Sequence, residues 1–233
     1  MRKMNKNKRK KLSFPALFGI AFLSVAILSG NAVYYKLKST PEIEAKKVSA
    51  EKINDPMLIL VNRTHKISCG YNGELILLDC GKYVDSRIYP QLQKMFDDMR
   101  DEGIYPIVNE GYRTNEEQEQ MMEDKINAYL NEGYSEKLAK KLAEESVAPP
   151  GMSEHELGIA VDIVADKSKS DNEEVYSWLA ENAHKYGFIQ RYPQDKMNIT
   201  GFEYEPWHYR YVGSEAAADI HEQGLCLEEY LEL

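Results

Sequence analysis

Cysteine is scarce in this sequence, with three residues in 233. That number excludes a disulfide framework, and the spacing of Cys69, Cys80 and Cys226 matches no cysteine-ligated zinc site. A chain of this length with 43% hydrophobic residues buries a sizeable core without help from a metal or a disulfide. Any metal ion that the protein binds is therefore expected to serve chemistry rather than folding.

Basic residues are scarce beyond the first eleven positions. Seven of the 29 Lys and Arg residues lie in residues 1–11, where no acidic residue occurs, so the other 22 stand against 38 Asp and Glu. A body with that excess of negative charge repels a phosphate backbone, which excludes nucleic-acid binding. Internal repeats and low-complexity segments are also missing, so the remainder is expected to be an ordinary globular domain.

Charge is absent altogether from residues 12–35. These 24 residues, at about 1.5 Å each in a helix, are long enough to cross a hydrocarbon layer of about 30 Å. The positive-inside rule then predicts a cytoplasmic basic tail (1–11), a transmembrane signal-anchor (12–35), a polar linker (36–55) and an extracytoplasmic domain (56–233) at the bacterial cell membrane. Small residues also permit signal cleavage after Ala32, which would give a secreted form.

Export affects the interpretation of the three cysteines. In an oxidising compartment Cys69 could pair with Cys80, because the two flank a turn signal at Asn72-Gly73. Cys226 could instead be the partner of either, or all three could stay reduced. An odd number cannot pair completely within one chain, so the pairing is left open.

Hydrophobic periodicity predicts a mixture of helices and strands without regular alternation, which favours an α+β fold. Strands are predicted at 57–61, 74–79, 104–108, 158–164, 188–192 and 207–212. Helices are predicted from a cap at Asp85-Ser86 to Gly103, from a capping box at Thr114 and Glu117 to about residue 131, at 136–146, at 173–186, and from Ser214.

Two of the five histidines lie in dense polar segments, His155 in SEHELGIAVD and His208 in EPWH. Asp162 falls within the apolar run IAVDIVA, where a buried charge is costly unless a cation neutralises it. Two imidazoles and one carboxylate form a ligand set that leaves the fourth tetrahedral position of Zn²⁺ open. Glu205 could accept a proton from a water molecule there. From spacing alone, ordinary hydrogen-bonded groups are the alternative.

The run SEHELGIAVDI resembles the SxHxxGxAxD motif of the VanY-type D-alanyl-D-alanine carboxypeptidase family, and EPWHYRYVG resembles its ExxH segment. The similarity extends to GYRT, PPGMSEH, WLAENAHKYGFIQRYP and LEEYL, about residues 55–232. It implies a Hedgehog/DD-peptidase-like zinc peptidase fold, with a small antiparallel sheet flanked by helices. It also implies a zinc metallo-carboxypeptidase rather than a serine-type enzyme, in which His155, Asp162 and His208 bind Zn²⁺ and Glu205 is the catalytic base.

The resemblance also implies how the substrate is held. The family residues that bind the substrate's carboxylate correspond to Arg113 and Ser153, and the fork of an arginine suits a carboxylate well. Glu156-Leu157 departs from the Gln-Thr of many relatives, which bears on substrate selection. Four further residues are predicted near the pocket: Tyr112, Gln118, Arg191 and Trp207.

The leading expectation is a zinc D,D-carboxypeptidase that removes the C-terminal D-Ala from peptidoglycan stem pentapeptides outside the membrane, in wall trimming or glycopeptide (vancomycin) resistance. An L,D-carboxypeptidase on tetrapeptide stems is the first alternative. A dipeptidase on free D-Ala-D-Ala is disfavoured, because an exported enzyme would not meet that cytoplasmic dipeptide. A non-catalytic peptidoglycan-binding module is the alternative from another class. The expected partners are stem peptides and the membrane, and the expected state is a monomer.

Overall fold

The computed structural model describes residues 55–68 and 72–231. The predicted basic tail, transmembrane segment and nearly all of the linker lie outside these residues, as does Cys69. Within the described ranges, no helix has the length and hydropathy needed to cross a bilayer.

The described residues form antiparallel strands and helices that do not alternate regularly along the chain, which confirms the α+β class. The strands are β1 (Leu75–Leu77), β2 (Tyr83–Asp85), β3 (Pro106–Glu110), β4 (Ala160–Ala165), β5 (Phe188–Gln190) and β6 (His208–Tyr211). The α-helices are α1 (Tyr89–Asp101), α2 (Asn115–Asn131), α3 (Glu136–Ser146), α4 (Asn172–Asn182), α5 (Met197–Thr200), α6 (Ser214–Gln223) and α7 (Leu227–Tyr230). Single 3-10 turns lie at Pro56–Leu58, Glu154–Leu157, Ala183–Tyr186 and Gln194–Lys196.

Four strands form an antiparallel sheet in the order β3-β4-β6-β5. In the register between β4 and β6, Asp162 stands opposite His208. On the other side of β4 a register shift after Val108 sets Glu110 opposite Asp162. Residues that stand opposite one another in antiparallel strands share a face of the sheet. The sheet thus places Glu110, Asp162 and His208 in one polar row.

The opposite face of this sheet belongs to the hydrophobic core. Because side chains alternate along a strand, Val161 and Ile163 on β4 and Tyr209 on β6 point away from the polar row, and all three are fully buried. Helices α1 and α4 supply most of the covering side chains: Leu92, Met95, Phe96, Met99, Val175, Trp178 and Leu179. The strands of the sheet are therefore amphipathic, with a core face and a site face.

A second, two-stranded sheet of β1 and β2 supports the edge of the first. The amide of Tyr112 donates to the carbonyl of Tyr83 at 2.6 Å, and the amide of Asp85 donates to the carbonyl of Gly158 at 2.8 Å. The hairpin is thereby bonded both to the segment after β3 and to the turn before β4. A side chain at Gly111 would fall against the carbonyl oxygen of Tyr83, so this close approach requires glycine.

Two helix predictions are confirmed. The capping box of α2 is present, since Thr114 Oγ1 accepts from the amide of Glu117 at 3.1 Å and Glu117 Oε2 accepts from the amide of Thr114 at 2.8 Å. Helix α3 has the predicted bounds. The predicted helix at 173–186 is α4 followed by a 3-10 turn at Ala183–Tyr186.

The predicted strand at 57–61 is wrong. The chain forms a 3-10 turn at Pro56–Leu58 instead, and its carbonyls do not enter a strand ladder. Arg210 Nη2 donates to the carbonyls of Met57 at 3.0 Å and of Ile59 at 2.9 Å. A buried arginine therefore satisfies backbone groups that the apolar run MLILV was expected to place in a sheet.

The predicted cap at Asp85-Ser86 is also wrong, because α1 begins at Tyr89 with Pro90 in its first turn. Asp85 ends strand β2, which was not predicted from the sequence, and its side chain accepts from the amide and from Nε of Arg87 at 2.9 and 2.8 Å. The carboxylate thus stabilises the turn between β2 and α1.

Cys80 and Cys226 are free thiols, so they do not pair with each other. Burial raises the pKa of Cys226 to about 11, which keeps this thiol protonated and unreactive. The sequence leaves the pairing of Cys69 open, and this residue lies outside the described residues.

We expect Gly111→Ala to destabilise the protein, because its methyl group must displace the backbone of β2. Overpacking of this kind costs about 1–3 kcal/mol in free energy of unfolding, measurable by urea denaturation. Asn109→Ala, an exposed position on β3 two residues earlier, is the control and should change that free energy by less than about 0.5 kcal/mol. Equal midpoints for the two variants would contradict the close approach.

Candidate active site

The candidate metal ligands come from three elements around the sheet. His155 lies on the 3-10 turn Glu154–Leu157, which Gly158 ends in the left-handed region at φ 71°. Asp162 lies in the middle of β4, and His208 is the first residue of β6. His155, Asp162 and His208 each direct one ligand atom to a common point, with these atoms all within 4.8 Å of one another.

The geometry of the three side chains fits zinc. Asp162 Oδ1 lies 3.4 Å from His155 Nε2 and 3.0 Å from His208 Nδ1. Two nitrogen or oxygen ligands of one tetrahedral zinc ion, each bound at about 2.0–2.1 Å, stand about 3.3 Å apart. The separations therefore match the edges of a zinc coordination tetrahedron. Three ligands leave one position for a water molecule or substrate, as in catalytic zinc sites.

The outer nitrogen of each imidazole faces an oxygen atom, which His155 meets in a hydrogen bond and His208 in a longer contact. His155 Nδ1 lies 2.8 Å from the carbonyl oxygen of Gly111, which can only accept, so the proton is on Nδ1 and the lone pair is on Nε2. In His208 the arrangement is reversed, with Nδ1 toward Asp162 and Nε2 3.5 Å from Glu154 Oε2. Such outer contacts set the tautomer of a metal-binding histidine.

The electrostatics of the cluster favour a cation. Burial alone would raise the pKa of Asp162, yet His155 and His208 lower it well below its usual range. Burial alone would lower the pKa of His208, but Asp162 and Glu154 raise it to about 10. The carboxylates thus hold positive charge at His208, as a proton when no metal is bound and as the metal when it is.

Glu205 lies beside this cluster, in the turn that leads into β6. Its amide donates to the carbonyl of Tyr192 at 3.2 Å, and its carbonyl accepts from the amide of His208 at 3.3 Å. Its Oε2 lies 3.8 Å from His208 Nδ1, and its side chain is 22% exposed. Burial raises the pKa of Glu205 above its usual value. A carboxylate with a raised pKa beside a metal position is suited to proton transfer.

The ligands and Glu205 line a cleft of about 230 Å³ that also contains Arg113. Arg113 is nearly buried, and its Nη1 donates to Gln118 Oε1 at 2.8 Å while Nη2 lies 3.5 Å from Glu110 Oε2. Gln118 Nε2 donates to the carbonyl of Ala148 at 2.6 Å. Because both ends of its amide are engaged within the protein, Gln118 positions the guanidinium group.

Four other predicted residues are placed as follows. Ser153 is buried and lines the cleft, and Trp207 lines it with 37% of its surface exposed. Tyr112 lies instead in a neighbouring cavity of about 590 Å³, which shares three lining residues with the cleft, Glu110, Arg113 and Met121. The prediction for Arg191 is wrong, because its side chain is fully buried and does not line the cleft.

Glu156, the departure from the usual motif, points away from the metal position. Its Oε1 accepts from the amides of Gly151 at 2.9 Å and Ser153 at 3.2 Å, and its Oε2 accepts from Asn115 Nδ2 at 2.7 Å. This side chain therefore holds the loop that carries Ser153.

Glu154 was not predicted as part of the site, and it is fully buried beneath the cleft between Arg191 and Arg210. A signal was present in the sequence, since Arg210 interrupts the apolar run of β6 as Asp162 interrupts that of β4. The same rule, that a charge within a buried strand needs a countercharge, would have indicated a buried carboxylate. The rule could not have indicated which Asp or Glu supplies that carboxylate.

Both the sequence and the fold match known proteins. The family model VanY, described as D-alanyl-D-alanine carboxypeptidase, matches residues 81–214. A D-alanyl-D-alanine carboxypeptidase of Enterococcus faecalis is 56% identical over 174 residues, which are 75% of this chain and 65% of that relative. The chain thus spans slightly less than two thirds of the length of this relative.

Solved structures give the same result. The vancomycin resistance D,D-pentapeptidase VanY, a mutant from a VanB-type resistance cassette in complex with Zn(II), matches with a TM-score of 0.73 and 55% identity, covering 76% of this chain and 99% of that one. VanYB in complex with D-alanine-D-alanine has the same TM-score and identity, with 76% and 97% coverage. The LdcB LD-carboxypeptidase matches with a TM-score of 0.65 and 34% identity, covering 77% and 88%.

We expect His155→Ala to weaken zinc binding more than about 100-fold, because losing a direct ligand must exceed the 10–100-fold effect typical of an outer partner. Competition with a colorimetric chelator measures the dissociation constant. His221→Ala is the control, because His221 stacks on His184 away from the cleft. A His155→Ala variant that binds zinc as tightly as His221→Ala would rule out this ligand set.

Proposed function

The chain belongs to the VanY family of D-alanyl-D-alanine carboxypeptidases, and from that premise we propose that it is a zinc D,D-carboxypeptidase that removes the terminal D-Ala from peptidoglycan stem pentapeptides. The observation that supports this proposal best is that the ligand atoms of His155, Asp162 and His208 lie within 4.8 Å of one another. They lie in a cleft that Glu205 and Arg113 also line. That cleft combines a metal position, a base and a cation for a carboxylate.

In the proposed reaction, Glu205 transfers the proton. When bound, zinc polarises water and the scissile carbonyl and stabilises the charge that develops on oxygen. Glu205 Oε2 is placed beside the metal position, where it accepts the proton of the attacking water and returns it to the departing amine.

In the proposed reaction, Arg113 and Ser153 orient the substrate. A carboxypeptidase must recognise a free C-terminal carboxylate, and a guanidinium group binds one with two parallel hydrogen bonds. Gln118, a neutral side chain, fixes Nη1 of the guanidinium group, and Oε2 of the partly exposed Glu110 forms an ion pair with Nη2 at 3.5 Å, so no carboxylate binds the group with two parallel hydrogen bonds among the described residues. Arg113 thus retains the capacity to bind an incoming carboxylate, and Ser153 offers a hydroxyl in the same cleft.

The location of the domain is proposed on sequence grounds. The basic residues 1–11 and the uncharged residues 12–35 favour a single-pass anchor with the catalytic domain outside the cell membrane, where stem peptides lie. A monomer is sufficient for activity, since one chain supplies all three ligands, the base and the arginine. A role in wall trimming or glycopeptide resistance follows from removal of terminal D-Ala.

The substrate is tested by mass spectrometry of products from the zinc-loaded full chain in detergent, incubated with pentapeptide and tetrapeptide stems. We expect loss of one D-Ala from the pentapeptide, abolished by a chelator and restored by zinc. Cleavage of the tetrapeptide alone would move the assignment to an L,D-carboxypeptidase, the activity named for the LdcB relative. Cleavage of neither would overturn the enzymatic proposal and favour a binding module.

We expect Glu205→Gln to retain zinc and lose D-Ala release by a factor of about 10²–10⁴ in kcat, the range for loss of a general base. The glutamine has the same shape but cannot accept the proton. Glu203→Gln, an exposed carboxylate two residues earlier, is the matched control and should keep wild-type kcat. Wild-type turnover by Glu205→Gln would remove Glu205 from the mechanism.

A further inference from the structure

A buried charge network lies directly beneath the zinc ligands. Glu154 Oε1 accepts from Arg191 Nε at 2.8 Å and from Arg210 Nη1 at 2.8 Å. The side chains of these three residues are all 0% exposed. Taking a carboxylate and two guanidinium groups out of water costs free energy unless every one of them is paired. The role of Glu154 therefore depends on what its second oxygen contacts.

The second oxygen of Glu154 faces a metal ligand. Glu154 Oε2 lies 3.5 Å from His208 Nε2, and neither atom has a closer hydrogen-bond partner among the described residues. On the other side of the same ring, His208 Nδ1 faces Asp162 and the metal position. The ring therefore stands between a fixed carboxylate and the place where zinc binds.

Residues near the two ends of the described chain bind Arg191 and Arg210. Glu228, on α7, accepts from Arg191 Nη1 at 2.8 Å and Nη2 at 2.7 Å, and it also accepts from Asn62 Nδ2 at 3.1 Å. Arg210 Nη2 donates to two carbonyls of the segment before Asn62. Glu154 cannot turn away from His208 without leaving two buried cations without their shared partner.

We propose that Glu154 is a positioning residue for zinc, which accepts the Nε2 proton of His208 and so directs the Nδ1 lone pair to the metal. The negative charge behind the ring also makes Nδ1 a stronger ligand, as a carboxylate behind a zinc-bound histidine does. Arg191 and Arg210 hold the carboxylate ionised and fixed in place. This role presupposes the zinc site of the proposed function.

The competing explanation is that Glu154 serves only to neutralise the two arginines. The chain offers a matched pair of variants that separates these roles. Glu154→Gln and Glu228→Gln each remove one buried negative charge from Arg191, with no change in side-chain volume. Only Glu154 faces His208, so a purely structural role predicts that both variants lose stability while zinc affinity stays the same.

We expect Glu154→Gln in the full chain to weaken zinc binding by about 10–100-fold, while Glu228→Gln stays within about threefold of the wild-type dissociation constant. Chelator competition measures both, and urea unfolding of the zinc-free proteins reports the stability that each charge contributes. Equal zinc affinities for Glu154→Gln and Glu228→Gln would overturn the positioning role. Absence of zinc binding by the wild-type chain would instead overturn the proposed function.

A second measurement needs no variant, which matters if Glu154→Gln does not fold. Long-range ¹H–¹⁵N NMR of the zinc-loaded wild-type protein assigns each ring nitrogen of His208. The proposal requires a protonated Nε2 with slow hydrogen exchange and a metal-bound Nδ1. Zinc on Nε2, or an Nε2 proton that exchanges as fast as that of an exposed histidine, would refute it.

Discussion

The register between β4 and β6 is the constraint on which the active site depends. It sets Asp162 opposite His208, and the shift on β3 adds Glu110 to the same row. A slip by one residue would turn Asp162 into the core and bring Val161 to the cleft. The apolar neighbours of Asp162 fix this register, because Val161 and Ile163 are fully buried on the opposite face. The register of β4 therefore determines both the packing of the core and the placement of the ligands.

Charge compensation explains why so many ionised groups are tolerated at one place. Asp162 and Glu154 are largely withdrawn from water, and each is balanced by positive charge, the first by protonated His208 or the metal that replaces its proton, the second by Arg191 and Arg210. Removing one member of such a set leaves a buried charge without its partner, which is more costly than the set itself. The site is therefore stable only as a whole, and the metal is part of its charge balance.

Much of the site was predictable from the sequence, because the ligands fall in local patterns. Asp162 within an apolar strand and two histidines in polar segments indicated a metal site, and the family resemblance assigned their roles. The strand at 57–61 was predicted wrongly because its carbonyls bond to Arg210, which lies about 150 residues away in sequence. Glu154 was missed for the same reason: its partners come from β6 and from the segment after β5, and no local pattern joins them. Short-range periodicity predicts elements, whereas buried ion pairs form only once the chain is folded.

The metal position and Arg113, which we propose binds the substrate's carboxylate, are linked by one short segment, and this bears on the proposed removal of a single terminal residue. The carbonyl of Gly111 binds His155 Nδ1, and Arg113 follows two residues later, with its own amide donating to the carbonyl of His155 at 3.1 Å. The backbone around Gly111 is fixed in turn by its close approach to β2. Two hydrogen bonds therefore hold the backbone around Arg113 against the first zinc ligand, and Gln118 fixes the guanidinium group at the end of the Arg113 side chain. In the proposed reaction, a fixed distance between the metal position and the guanidinium group would select the bond that precedes the last residue and reject bonds further along the peptide.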